Sequence, residues 1–410
     1  LDNLIAIVDV NRLGQHGETM FAHDLNEYSK RAQAFGWNTI RVDGHNLRAI
    51  TAAYKKALSV KGKPTMIIAK TIKGKGVKKF EDKEGFHAKV LASEELPQAL
   101  QDIGDIDLTI RGKLTAPAAK QPVRYVPKAV TIPEPPTDKP YATRKAFGDA
   151  LTKLHIIYPN MVVLDGDMGN STFTETFQKT YPNRFFEMFI AEQNMVGAAI
   201  GLARRGKIPF VSTFAAFFSR AYDQIRMSQY SDANIKICGS YAGVSLGPDG
   251  SSQMGLEDIA MMRAIHGSVV LYPSDAIATE KLVGEAAKHR GMVYLRLTRA
   301  DTPIIYKENE QFPIGGSRVI KHSAHDAVTV IAAGITLHEA LAAYEELKKE
   351  NIYIRVIDLY SIKPLDEKTL VKAAKETGAI FTVEDHYPEG GMGEAVAAAD
   401  GALDRAAMRA

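Results

Sequence analysis

Cysteine is almost missing from this 410-residue chain, where Cys238 is the single one. One thiol excludes an intrachain disulfide and a multi-thiolate zinc cluster, and the strand-like setting Asn234-Ile235-Lys236-Ile237-Cys238 reads as a buried, inert residue in a reducing compartment. Long apolar runs are lacking too. Stretches such as Ala327 to Ala333 fall far short of the roughly 20 residues a membrane helix needs, and no charged-then-apolar leader opens the chain. The net charge is only +3, which gives no broad electrostatic reason to expect nucleic acid as a partner and leaves small or phosphorylated ligands open. What remains is a soluble, cytoplasmic protein, too long for one core, for which two or three domains are expected.

Strand-like runs alternate with amphipathic helices over most of the sequence. Strands at Ile40 to Val42 and Thr65 to Lys70 flank a helix at Leu47 to Leu58, and Leu4 to Val10 has a strand pattern of its own. This is the rhythm of a parallel sheet with crossover helices. It stops between about Asp105 and Pro140, where Pro117, Pro122, Pro127, Pro133, Pro135, Pro136 and Pro140 crowd together as in an extended linker.

The alternation resumes with strands at Met161 to Asp165, Arg184 to Ile190, Pro209 to Phe214, Ile235 to Gly239, Ser268 to Tyr272 and Met292 to Leu297. After the turn-rich Phe312-Pro313-Ile314-Gly315-Gly316, a third set follows: strands at Ala327 to Ala333, Ile354 to Asp358 and Ile380 to Glu384, with helices at Leu337 to Lys349 and Glu367 to Thr377. It runs out past Gly393 in an alanine-rich, polar tail. The organisation expected is a first domain at 1–104, a proline-rich linker at 105–140, a second domain at 141–314 and a third at 315–410.

One short stretch carries chemistry. In Phe189-Ile190-Ala191-Glu192-Gln193-Asn194-Met195, a carboxylate sits where a strand turns into an apolar helix. Kept from bulk water there, its pKa rises and it can share a proton with a ring nitrogen. Thr213-Phe214-Ala215-Ala216-Phe217-Phe218 follows, with flat apolar faces suited to an aromatic heterocycle. Further stretches are Asp9-Val10-Asn11-Arg12-Leu13-Gly14-Gln15, Lys70 to Gly76, Leu164-Asp165-Gly166-Asp167, Gly247-Pro248-Asp249-Gly250 with Gln253, and Thr382-Val383-Glu384-Asp385-His386. In this order, over nearly the whole chain, they resemble transketolase.

The resemblance implies an α/β protein of three consecutive parallel-sheet domains of the thiamine diphosphate enzyme type, the first incomplete. It implies a homodimer with active sites between the first domain of one subunit and the second of the other. Glu192 would protonate the coenzyme's aminopyrimidine, and His87 would reach diphosphate and substrate. Lys73, Asp167, Phe214, Phe217 and Gln253 would contact the coenzyme. Arg144, Ser171 and Arg299 would hold a substrate phosphate, for which two guanidinium forks and a hydroxyl are chemically suited, and Asp249 would bond a sugar hydroxyl. Asn11 and the Leu13 carbonyl would supply oxygens to Mg²⁺ or Ca²⁺.

Two departures qualify this. Tyr241 stands where transketolases usually carry a histidine that helps bind the substrate phosphate; tyrosine brings a hydrogen bond without charge, so substrate preference is expected to differ. The family's Gly-Asp-Gly triplet, whose aspartate ligates the metal, falls before Leu1. The chain therefore reads as the larger piece of a longer or split enzyme, with a separate N-terminal piece as partner, and by itself it is expected to turn over slowly or not at all. Asp43-Gly44-His45 lies in the wrong place to substitute. Gly391-Met392-Gly393 lacks the third glycine of a dinucleotide fingerprint, which argues against NAD. The leading function is transfer of a two-carbon ketol unit from a ketose phosphate to an aldose phosphate. The alternatives are a synthase that decarboxylates pyruvate to make 1-deoxyxylulose 5-phosphate, and a non-catalytic dimerising or regulatory chain.

Overall fold

A computed structural model describes residues 1–113, 115–116 and 125–399 of the chain. The chain divides into two compact units, Leu1–Lys120 and Gln121–Ala410.

The first unit is a three-stranded parallel sheet with the central strand last in sequence. β1 (Ile5–Val10) and β2 (Asn38–Asp43) flank β3 (Thr65–Lys70), with Val10 and Asp43 both level with Lys70. The crossover helices start where side chains can take orphan amide groups. Asp24 accepts from Asn26 N and Glu27 N ahead of the helix Leu25–Ala34, and Asn46 accepts from Ala49 N ahead of the helix Leu47–Ser59. Val42, Ala53, Ala57, Ile67 and Ala69 form its small core. Between Ile103 and Tyr141 the described residues hold no helix or strand, while residues 114 and 117–124 of the expected linker lie outside the described residues.

The second unit opens with β4 (Tyr141–Ala142) and builds its main sheet from β5 (Met161–Asp165), β6 (Phe185–Glu187), β7 (Ile208–Phe214), β8 (Lys236–Ser240), β9 (Val269–Leu271) and β10 (Val293–Arg296). β11 (Asp301–Thr302) pairs back onto β4. A smaller sheet has β12 (Arg318–Lys321), β13 (Asp326–Ala332), β14 (Tyr353–Asp358) and β16 (Ile380–Val383), while β15 (Ser361–Lys363) joins the main one. The main sheet runs β15-β9-β10-β8-β7-β5-β6, and all its pairings are parallel except β15 with β9. Its middle strands are buried on both faces, which is why they read as continuous apolar runs rather than alternating ones.

The structure corrects several expectations. The strand expected at Arg184 to Ile190 is only Phe185–Glu187, because Pro182–Arg184 forms a 3₁₀ turn and Phe189 takes φ 56°, a left-handed conformation that ends extended pairing. A feature the sequence did not show is that β15, from the span assigned to the third domain, adds an antiparallel edge to the second's sheet. β12 is likewise antiparallel to β14. The expected tail beyond Gly393 starts as a helix, Met392–Ala398, whose Met392, Ala395 and Val396 are buried. Residues 400–410 lie outside the described residues.

Candidate functional site

In an open parallel sheet the helices cover both faces, so ligands gather beyond the carboxyl ends of the strands. The expected residues of the second unit lie there. Asp167 follows β5, Phe214 ends β7, Tyr241 follows β8 and Arg299 follows β10.

Glu192 is the first residue of the helix Glu192–Arg204 and is 5% exposed, although Phe189 and Ile190 just before it are 69% and 70% exposed. The Glu187 carboxylate builds the bend between strand and helix by accepting from Asp167 N at 3.0 Å and Phe189 N at 2.9 Å. Glu192 pairs through Oε1 with Arg220 Nη1, whose guanidinium also lies 4.5 Å from the Phe217 ring centroid. Nothing near Glu192 in sequence announces this partner, since Arg220 arrives 28 residues later on the 3₁₀ segment Ala215–Ala221.

That segment also carries Phe217. Three rings stack in series: Phe217 on Phe214 with centroids 5.3 Å apart, and Phe214 on Tyr241 at 3.9 Å and 15°. Leu246, Met168 and Met254 pack around them. A flat, apolar, partly open surface beside a buried carboxylate fits an aminopyrimidine, which needs a stacking face and an acid for its ring nitrogen. Beneath it, the Thr213 hydroxyl is buried with no partner.

Tyr241 joins this stack to a cluster of cations. Its hydroxyl lies 3.3 Å from Arg144 Nη1, and its ring lies 5.2 Å from the Arg144 guanidinium carbon and 5.9 Å from that of Arg299. Arg144 Nε donates to the Arg299 carbonyl at 3.1 Å and Nη1 to the Ser171 carbonyl at 2.7 Å. Both nitrogens are spent on protein oxygens, so Nη2 is the edge left for an anion. Burial lowers the Arg144 guanidinium from its ordinary value, with Tyr241 opposing, and it stays a cation at neutral pH. Ser171 thus enters through its backbone carbonyl, where the sequence suggested its hydroxyl. Arg299 Nε is 3.1 Å from Asp249 Oδ2, yet no acceptor is aligned with that buried N–H. The structure therefore brings Arg144, Ser171, Tyr241, Asp249 and Arg299 together.

Phe173 went unnoticed in the sequence. It stands at φ 60° with its ring 5.0 Å from the Arg144 guanidinium carbon. The helix Thr143–Leu154 can approach it because Gly148 faces the Phe173 backbone, where any Cβ would collide with the carbonyl. Gln253 is half-buried on the turn Ser251–Gln253, and Asp167 is exposed at φ 65°. Its neighbour Asp165 is fully buried, accepts from Met168 N, Thr172 Oγ1 and Thr174 Oγ1, and is pushed up to about 6 by burial. It is a brace for the turn, not a contact.

In the first unit, Asn11 and Leu13 follow β1 and Lys73 follows the adjacent β3, at the same end of that sheet. Lys73 Nζ lies 3.2 Å from Nδ1 of the exposed His87. Asn11 Oδ1 accepts from Leu13 N at 3.1 Å, which closes a tight turn. Asn11 Oδ1 and the Leu13 carbonyl are neutral oxygens of the hard type that Mg²⁺ accepts, but they are two, and no cluster of three or more acidic, His or Cys ligands exists among the described residues. Two such oxygens could form only part of a metal's shell.

Comparison with known proteins identifies the family. Residues 1–115 match the transketolase thiamine diphosphate binding domain, residues 139–304 the transketolase pyrimidine binding domain and residues 317–406 the transketolase C-terminal domain. Transketolase-like protein 1 of Macaca fascicularis is 50% identical over 409 residues, covering 97% of this chain and 68% of that protein. The chain belongs to the transketolase family. Mouse transketolase is 50% identical over 405 residues, and this chain spans 64% of its length. Among solved structures, the transketolase of Campylobacter jejuni superposes with a TM-score of 0.80 at 22% identity, covering 95% of this chain and 66% of that one. A split-gene transketolase, described as an inactive β4 tetramer, is 43% identical, with a TM-score of 0.59 over 64% of this chain and 86% of its own. The family membership carries a thiamine diphosphate-binding domain with it.

Proposed function

We propose that this chain carries the substrate and coenzyme surfaces of a transketolase that moves a two-carbon ketol unit from a ketose phosphate to an aldose phosphate. The observation that carries the reading is Tyr241, which stacks on Phe214 on one side and meets Arg144 on the other, so that an apolar aromatic surface and a phosphate-sized cationic cluster share a wall. Thiamine diphosphate, when bound, supplies the carbon acid on which such transfers depend. The chain's own contributions are separate from it. Phe214 and Phe217 offer the stacking face, and Glu192 holds the proton for the pyrimidine ring nitrogen. Arg144 Nη2 and Arg299 bind and orient the phosphate, and Asp249 accepts from a sugar hydroxyl. Lys73, His87, Asp167 and Gln253 line the coenzyme, while Asn11 and Leu13 give two oxygens to Mg²⁺ or Ca²⁺.

Phe189 and Ile190, exposed beside a buried acid, suit a second subunit covering that acid, so a cytoplasmic homodimer with shared active sites is the assembly proposed. Transketolase activity places the enzyme in the pentose phosphate pathway.

The test compares donors in the native protein. Arg299→Ala should raise KM for xylulose 5-phosphate about ten- to a hundredfold, the usual worth of one charged hydrogen bond. The unphosphorylated donor hydroxypyruvate should be nearly unaffected. Equal losses on both donors would make Arg299 a structural residue and remove the phosphate site.

A further inference from the structure

The third domain contributes none of the residues assigned above, yet one of its side chains reaches under the loop that carries several of them. Arg296, at the end of β10, is fully buried between two carboxylates: Nε donates to Asp258 Oδ2 at 2.9 Å and Nη1 to Asp385 Oδ1 at 2.6 Å. Tyr294 donates to Asp258 at 2.6 Å and Tyr272 to Asp385 at 3.1 Å, so each anion has a second donor. Asp385 comes from the segment after β16, two residues beyond the strand.

The remaining donors of Arg296 point at the loop. Nη2 bonds the Gly255 carbonyl and the Asp385 carbonyl, each at 3.0 Å. Gly255 in turn closes the loop on itself, since its carbonyl accepts from Gly243 N at 2.8 Å and its N–H lies 3.4 Å from the Tyr241 carbonyl. Gly243 stands at φ 75° with its open face against the Asp385 carboxylate, where any Cβ would overlap Oδ2. The neighbouring residues repeat the pattern: Tyr387 N donates to the Leu256 carbonyl at 3.0 Å, and Arg263 Nη1 to that of Gly391 at 2.8 Å. The Gly255 end of the loop 241–255 is thus fastened to the 385–391 segment, and its other end packs on that segment at Gly243, while its middle holds Asp249 and Gln253.

We propose that Asp385 is a positioning residue: acting through Arg296, it fixes the loop 241–255 so that Tyr241 and Asp249 stand ready for substrate and Gln253 for the coenzyme. The third domain sets the geometry of the substrate loop without touching the ligand. The clamp stands on the hydrogen bonds alone, and only its consequence for sugar phosphates rests on the function proposed above.

The test uses Asp385→Asn in the native protein, a change of charge without change of shape. Asp258 still neutralises Arg296, so the guanidinium is not stranded as it would be after loss of its only partner. Amide hydrogen exchange should rise roughly tenfold or more at Ala242, Gly243 and Gly255, with Val211 and Ser212 in β7 unchanged, and the Kd for ribose 5-phosphate should rise by about the same factor. Unchanged loop exchange, or equal acceleration in loop and β7, reduces Asp385 to a general stability element and overturns the proposal. If Asp385→Asn does not fold, Gly243→Ala pushes the same carboxylate away from the loop side and is read by the same two outcomes. A loosened loop in a protein whose unaltered form binds no ribose 5-phosphate would keep the clamp and discard the sugar-phosphate reading.

Discussion

A carboxylate on the first turn of an apolar helix has few ways to persist away from water, and Glu192 has taken one of them, the guanidinium of Arg220. The pairing gives the acid a stored position. Arg220 is half-exposed while Glu192 is not, so the cation is the mobile member and the acid the fixed one. On the function proposed above, a coenzyme ring stacking on Phe217 would take the face over which Arg220 now lies and would meet Glu192 directly. Glu192→Gln is therefore expected to slow hydrogen-deuterium exchange at C2 of bound thiamine diphosphate by about 10² to 10⁴ while changing coenzyme affinity little, because the amide keeps the shape and loses the proton. NMR of the exchanging position is the measurement. An unaltered exchange rate would leave Glu192 with no role beyond pairing Arg220.

Among the elements, the helix starts separate ordinary caps from structural pins. Asp366 caps the helix Glu367–Thr377 through Thr369 N and is half-buried, so Asp366→Ala should cost about 1 kcal/mol. Asp275 is fully buried and accepts from Ala278 N, Ile305 N and Tyr306 N, tying the helix Ala276–Lys288 to a chain segment thirty residues on. Asp275→Ala strands two buried amides and one half-buried amide and should cost about 3 kcal/mol, read as a shift of the urea midpoint. Similar losses for the two variants would refute the distinction.

The same contrast marks what was legible in the sequence. Strands such as Met161–Asp165, the helix Glu367–Thr377 and the cap residues were readable because local pattern and turn chemistry determine them. The residues proposed for substrate were picked out through their motifs, and the structure brings Arg144, Ser171, Tyr241, Asp249 and Arg299 together. Arg220, Phe173 and the Arg296–Asp385 pair were not readable, because their meaning lies in contacts across long separations that no spacing reports. β15 escaped for a related reason: three residues carry too little periodicity, and which sheet they join is decided by the packing of the whole unit.

For the whole molecule, buried acids set the response to pH. Asp358 is fully buried, accepts from Tyr306 and Ser274, and burial pushes it from its ordinary 3.8 to about 7. A carboxyl whose folded pKa is raised keeps its proton in the folded state while the unfolded chain has lost it. Its contribution is thus complete below about pH 4 and is lost as pH rises towards and through about 7. Stability should fall over this window by at most a few kcal/mol from this group, at no more than about 1.4 kcal/mol per pH unit. Urea titrations at pH 5 and pH 8 should show most of that difference disappear in Asp358→Asn. An identical pH slope in the variant would assign the effect elsewhere.

The antiparallel contribution of β15 also has a genetic meaning. Two of the matched family domains meet between residues 304 and 317, where the sequence offers a natural seam. A gene divided there would put Ser361–Lys363 on one polypeptide and its partner β9 on the other, leaving a bare sheet edge on the first product until the second arrived. The sheet of the first unit uses only its own strands, so a division in the proline-rich stretch opens no such edge. Dividing the gene before the second domain should therefore leave the main sheet whole, and dividing it after that domain should not, so the two later domains are expected to fold best as one polypeptide.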